Sequence, residues 1–130
     1  MLELRNHLAG EGGWWITVHY DDGTISVSGR YSHPRAKRRA AWLLEVLPGA
    51  IRTTVAPTPT LPAVREGARW VVLAFRSDGC RLAYGPFGSR KAACARIRRQ
   101  ALLAENPADY EYHVHYAHDA EAYRRTRRAV

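Results

Sequence analysis

The sequence predicts an α+β domain: two tandem strand-strand-helix-strand repeats packed as one pseudo-symmetric domain, with an antiparallel sheet, helices on one face and a short basic C-terminal helix. Three observations lead there. The stretch WWITVHYDDGTISVSGRYSHPRA, beginning at Trp14, lies without a gap on WVVLAFRSDGCRLAYGPFGSRKA, beginning at Trp70. Each copy sets Asp-Gly between two β-rich runs, the strongest short-range hairpin signal. Each then continues into an apolar stripe at helical spacing and a third β-rich run.

The offset between the copies is constant at 56 residues, matching Trp14 to Trp70, Asp22-Gly23 to Asp78-Gly79, Gly29 to Gly85 and Ala36 to Ala92. A fixed offset over this length argues for a duplicated supersecondary unit. In the first unit, residues 1–56, Trp14 to Tyr20 and Thr24 to Ser28 read as a hairpin. A Gly-x-aromatic turn and a helix over Pro34 to Leu47 follow; Pro48-Gly49 stops the helix. AIRTTVA, at 50 to 56, is its last strand. In the second unit, residues 68–117, the hairpin is Trp70 to Arg76 with Arg81 to Tyr84, the helix Arg90 to Glu105 and the last strand YEYHVHY at 110 to 116. One conflict arises. The gapless match sets Ile25 and Val27 on Arg81 and Ala83, whereas strand alternation pairs them with Leu82 and Tyr84, which a longer second hairpin loop would resolve.

Residues 57–67, PTPTLPAVREG, read as an extended, stiff linker because of Pro57, Pro59 and Pro62. Residues 118–130 read as a basic C-terminal helix or arm. Either unit alone is small for an independent core, so the two are expected to pack together.

With 130 residues, 46% hydrophobic and 25% charged, the chain has the composition of one soluble globular domain. Twenty Lys and Arg against twelve Asp and Glu leave a formal charge of +8, which favours an anionic partner. The cations are nearly all Arg, with Lys only at 37 and 91, and Arg suits bidentate contact with phosphate or carboxylate. Residues 1–15 contain Glu3, Arg5, Asn6 and His7 and no signal-peptide core, and the longest apolar run, WVVLAF, is too short to span a bilayer. The expectation is a cytoplasmic protein with no membrane partner. Cys80 and Cys94 form no metal-binding or disulfide framework and read as reduced thiols.

Both predicted helices begin with the wrong charge. A helix N-terminus presents unpaired N–H groups and the positive end of the macrodipole, so acids belong there. The first helix instead carries Arg35, Lys37, Arg38 and Arg39 with no acid before Glu45; the second carries Arg90, Lys91, Arg96, Arg98 and Arg99 with none before Glu105. Ser32 and Ser89, as N-caps, with Arg35 and Lys91 beside them, are expected to form two anion sites whose natural occupant is phosphate. Arg124, Arg125, Arg127 and Arg128 extend the basic surface, as a structural helix or as an arm that orders on nucleic acid.

The functional expectation is a small, non-enzymatic nucleic-acid-binding protein, DNA rather than RNA, of a regulatory or phage and plasmid accessory kind. Its rival is a module that docks an acidic protein. Trp14 and Trp15 face opposite sides of a strand, so one is expected in the core and the other packed at an edge, with base stacking the alternative. Tyr110, Tyr112 and Tyr116 share a strand face as packing residues. His113 and His115 point to one side and His118 could join them, but HxH without further ligands predicts no metal site. Asp21, Asp22 and Asp78 are explained by turn chemistry, and no nucleophile elbow, phosphate loop or zinc-protease signature points to an enzyme or a cofactor.

Two family resemblances accompany these readings. RLAYGPFGSRKAACARI resembles the strand-turn-helix segment of SPOR domains, in which a Gly-x-Phe turn leads into a Ser-initiated helix; this implies an internally duplicated peptidoglycan-binding module. The order of Trp, Asp-Gly, Gly-x-aromatic and helix is also similar to AP2-like and integrase arm-type domains, which implies a three-stranded sheet, backed by a helix, that reads DNA. Neither resemblance assigns a role to an individual residue.

Overall fold

A computed structural model describes residues 7–8, 12–62, 70–103 and 107–116. The chain forms β1 (Trp14–Tyr20), β2 (Ile25–Tyr31), α1 (His33–Val46), β3 (Ala50–Ala56), β4 (Trp70–Arg76), β5 (Arg81–Phe87), α2 (Arg90–Leu103), a short 3-10 turn (Pro107–Asp109) and β6 (Tyr110–Tyr116). The strands make a six-stranded antiparallel sheet in the order β3-β1-β2-β5-β4-β6. The class is α+β, and strand-strand-helix-strand occurs twice along the chain. The expected C-terminal helix, with His118, lies outside the described residues.

Both hairpins are closed by Asp-Gly, as their sequences require. Asp22 Oδ1 accepts the Thr24 N–H at 2.9 Å, and Asp78 Oδ1 accepts the Cys80 N–H at 3.0 Å. Gly23 and Gly79 take the positive φ of these turns, 84° and 89°, which glycine adopts without steric cost. The expected longer second loop is not there. Thr17 faces Val27 in the first hairpin, and Leu73 faces Ala83, 56 positions on, in the second. Alternation misled because this sheet is buried on both faces, so an apolar side chain marks neither.

The Gly-x-aromatic segments are also strand rather than turn. β2 runs through Gly29 to Tyr31, which pairs with Trp14, and β5 runs through Gly85 to Phe87, which pairs with Trp70. Gly29 is required by close approach: a Cβ there would lie 2.5 Å from the buried indole of Trp15. The 56-residue match slips after this point, since α1 and α2 begin at His33 and Arg90, 57 residues apart. The buried helix residue Ala36 therefore corresponds to buried Ala93, and Ala92 is exposed.

One face of the sheet is covered by both helices, where Ala36, Ala40 and Ala93 pack on Ile16, Val18, Val72, Ala74, Leu82 and Tyr84. Small residues on the helix undersides let the backbones approach the sheet closely. Leu44, at helical spacing from Ala40, is nonetheless 41% exposed. The opposite face holds a second cluster of Leu8, Trp15, Val27, Leu73 and Ala83, with Leu61 packed against it. His7 locks this layer, its Nε2–H donating to the Leu82 carbonyl at 2.8 Å while Arg81 donates to the His7 carbonyl at 3.2 Å. The linker thus serves as core as well as connector at Leu61 and Pro62, both of which carry little exposed surface.

Candidate nucleic-acid interface

Once Ala36, Ala40 and Ala93 are turned to the sheet, helical geometry decides which cations face outward. On α1 these are Arg35, Lys37 and Arg38; on α2 they are Arg90, Lys91, Arg98 and Arg99, all exposed. The ion pairs among the described residues are Arg76–Asp78, Arg96–Asp22 and His113–Glu111, so none of these seven cations forms one, although the Arg35 charge also helps to hold the Asp78 carboxyl low. Two helices on one side of one sheet therefore carry like charge on their outer surfaces.

The two helix starts are built differently. At α2, Ser89 Oγ accepts the Ala92 N–H at 3.1 Å, so the cap is satisfied internally. At α1, Ser32 has extended cap geometry but makes no side-chain cap bond, and Pro34 occupies the first turn. The α1 start opens into a cavity of about 600 Å³ lined by Arg30, Ser32, Arg35 and Arg76 and by the Asp78-Gly79 turn. Arg35 leans toward the Tyr31 ring, 5.5 Å from its centroid. The equivalence expected of the two anion sites is thus absent: one is a cavity and the other an exposed, capped turn.

Arg96 does not belong to the outward set. It is 5% exposed, because its place on α2 is the sheet-facing one beside Ala93 and Ile97. Its Nη2 donates to Asp22 Oδ2 at 3.0 Å and to Thr24 Oγ1 at 2.8 Å, and the guanidinium lies 4.5 Å from the Tyr20 ring centroid. Burial works against the Asp22 carboxylate, yet bonds from the Thr24 hydroxyl and N–H, then the Arg96 charge, hold it below the usual carboxylate range. Arg39 also departs from the expectation. It is half-buried between the rings of Tyr31 and Trp42, at 5.8 and 5.6 Å, with its Nε buried and without a described partner.

Family models, curated proteins and solved structures were all compared with the chain, and none matches.

Of the aromatic candidates, Trp14, Trp15, Tyr110 and Tyr112 are packed, whereas Tyr116, expected to pack with them, is 45% exposed. Trp15 is 2% exposed in the second cluster, whereas Trp14 stacks at the sheet margin on the His33 ring at 4.1 Å. Tyr110 and Tyr112 stack on one another at 5.7 Å and pack against the helix-side core. His113 and His115 lie 6.3 Å apart by ring centroid, and among the described residues no group of three His, Cys, Asp or Glu side chains is placed to hold a metal ion. Cys80 and Cys94 are free thiols, Cys80 being buried with its sulfur 3.1 Å from the Tyr31 hydroxyl. No described helix is long and apolar enough to cross a membrane. Arg76, which lines the α1 cavity with Arg30 of β2, had no signal in the sequence, because the β4–β5 hairpin reaches α1 only through tertiary packing.

Proposed function

We propose that the protein binds nucleic acid, duplex DNA in preference to RNA, as a non-enzymatic module acting in the cytoplasm. The supporting observation is the set of seven outward cations on α1 and α2 with no ion pair to a described carboxylate. Ordinary solvated helices mix signs and gain i,i+4 pairs; here that stabilisation is absent. Each phosphate neutralised by one of these residues releases condensed counterions, so the cost of unpaired charge is recovered on binding. Reading the two strand-strand-helix-strand units as a duplication gives this arrangement a simple origin, since two copies joined edge to edge through β2 and β5 put both basic helices on one face. Both sheet faces are covered near their centre, which leaves little room for the open-sheet stacking that serves single-stranded ligands and so favours a duplex backbone. Arg124, Arg125, Arg127 and Arg128, outside the described residues, add four cations to the chain's charge.

A second reading is supported by Trp42, Leu44 and Val46, each more than two-fifths exposed on α1 beside the cations. Apolar and Arg residues together are characteristic of protein interfaces, and the partner would be acidic. Competition distinguishes the two. With a labelled duplex bound at fixed ionic strength, unlabelled duplex DNA should displace it more effectively than RNA or an acidic polypeptide of equal charge. Preferential displacement by the polypeptide would favour the protein partner.

A further inference from the structure

A cleft of about 420 Å³ lies between α1 and α2 over the central strands, distinct from the exposed cationic surface. This volume is within the range of small-molecule sites, which are apolar with a few convergent polar groups. Trp42 and Leu43 of α1 form one wall, Tyr112 of β6 forms the other, and the hydroxyls of Ser26, Ser28 and Tyr84 contribute to the floor. Arg39 and Arg76 are the cations in the lining, and Arg76 is already paired with Asp78.

The state of Arg39 follows from a comparison of the two helices. Arg39 and Arg96 are each the seventh residue of their helix. Arg96 Nη2 is bonded to Asp22 and Thr24 of the β1–β2 hairpin, although Nη1 is buried without a described partner. The residues 56 positions on are Asp78 and Cys80, and neither is available. Arg76, standing where β1 has Tyr20, holds Asp78 at 2.7 Å, and the Cys80 sulfur lies against the Tyr31 hydroxyl. Arg39 is left with a buried Nε and no described partner, flanked by two aromatic rings. A buried donor in this state gains most from an anionic oxygen, and a planar group is accommodated by the rings on either side.

We infer that this cleft binds a small aromatic monocarboxylate, its carboxylate on Arg39 and its ring between the α1 wall and the tyrosines. Asp109, exposed in the lining, is the carboxylate among the described cleft residues and disfavours a polyanion such as a nucleotide. The inference does not rest on nucleic-acid binding, which uses the exposed cations; of these Arg35 comes nearest the cleft, one turn from Arg39 over the same Tyr31 ring.

The test is a titration of the full chain, followed by amide and side-chain NMR, with benzoate, 4-hydroxybenzoate, indole-3-acetate and 1-naphthoate, and with the neutral amide of each. At least one carboxylate should saturate below roughly 1 mM, with ligand-ring NOEs to Tyr84 or Tyr112, and its amide should bind at least about tenfold more weakly. Arg39→Gln should weaken it by a similar factor, Arg39→Lys by less, and Lys91→Gln, outside the cleft lining, should leave it unchanged. No saturation by any carboxylate, equal binding of the amides, or NOEs only outside the cleft would overturn the inference. If Arg39→Gln does not fold, the carboxylate-to-amide comparison and the NOEs on the unmodified chain decide the question alone.

Discussion

Arg96 Nη2 lies 3.0 Å from Asp22 Oδ2 across 74 residues of sequence, whereas Asp78, at the corresponding turn of the second hairpin, is held by Arg76 only two residues away. The first contact ties α2 to the other half of the sheet; the second ties one hairpin to itself. The difference decides which arginine is structural and which is left for a ligand.

Replacing Asp22 should therefore destabilise more than replacing Asp78. Asp22→Ala leaves the buried Arg96 guanidinium without its carboxylate, and about 1 to 3 kcal/mol is expected, discounted because Asp22 itself is half-exposed. Asp78→Ala should cost less because the Arg76–Asp78 pair, with Arg76 itself only 11% exposed, joins residues two apart in one hairpin and holds no helix to the sheet. Urea denaturation midpoints check the order. Equal effects would mean that the α2-to-hairpin tie is not important to stability.

Gly29→Ala should be costly although it adds one methyl group. The new Cβ would meet the Trp15 ring at 2.5 Å, and Trp15 is buried against Leu8 and Leu73 with no open side to move into. Overpacking of this kind costs about 1 to 3 kcal/mol. Thermal unfolding should show the loss, accompanied by an altered Trp fluorescence spectrum. Gly12→Ala, where no atom lies within 4 Å of the added Cβ, serves as the contrast.

Stability should fall in two stages as the solution is acidified. Burial lowers the His7 pKa from its ordinary 6.5, outweighing its backbone hydrogen bonds, and burial with Arg52 lowers His19 likewise. A base with a depressed folded pKa binds more protons when unfolded, so its contribution is intact above 6.5 and is lost as pH falls through the lower, folded value. Asp22 and Asp78 also titrate below their ordinary 3.8, Asp78 chiefly through its bond from Arg76. Their contribution is present above 3.8 and disappears as pH falls below it toward the folded values. A series of Tm values against pH should show both stages, and His7→Phe should shrink the upper one while leaving the lower.

The elements were legible because their boundaries are local chemistry. Asp-Gly, Pro34 and Pro48 fix turns and helix ends whatever the rest of the chain does, and the helix-side core at Ala36 and Ala40 follows from spacing. What was not legible depends on tertiary contact. The second apolar layer formed by Leu8 and Leu61 hides the alternation of β2 and β5, so Val27 and Ala83 looked misaligned when they are in register. Gly29 and Gly85 read as turns because the Trp15 indole that demands the absence of a Cβ at Gly29 comes from a neighbouring strand. Arg39 and Arg96 occupy the same position, the seventh, of their helices, three residues after a buried alanine. Their separation into half-buried donor and structural ion pair rests on Tyr20 against Arg76, and on Thr24 against Cys80, in strands and turns that only the fold brings beneath them.

The most direct test of nucleic-acid binding by the helix faces is the salt dependence of affinity for a short duplex DNA, measured by fluorescence anisotropy over a range of KCl concentrations. A linear plot of log K against log salt is expected, with a steep negative slope that becomes shallower by about 0.9 for each contacting cation removed by Arg35→Gln, Arg38→Gln, Lys91→Gln or Arg98→Gln. Arg96→Gln, assayed under conditions where it is folded, should leave the slope unchanged. Absence of binding at low salt, a flat slope, or a slope indifferent to the outward cations would contradict the account.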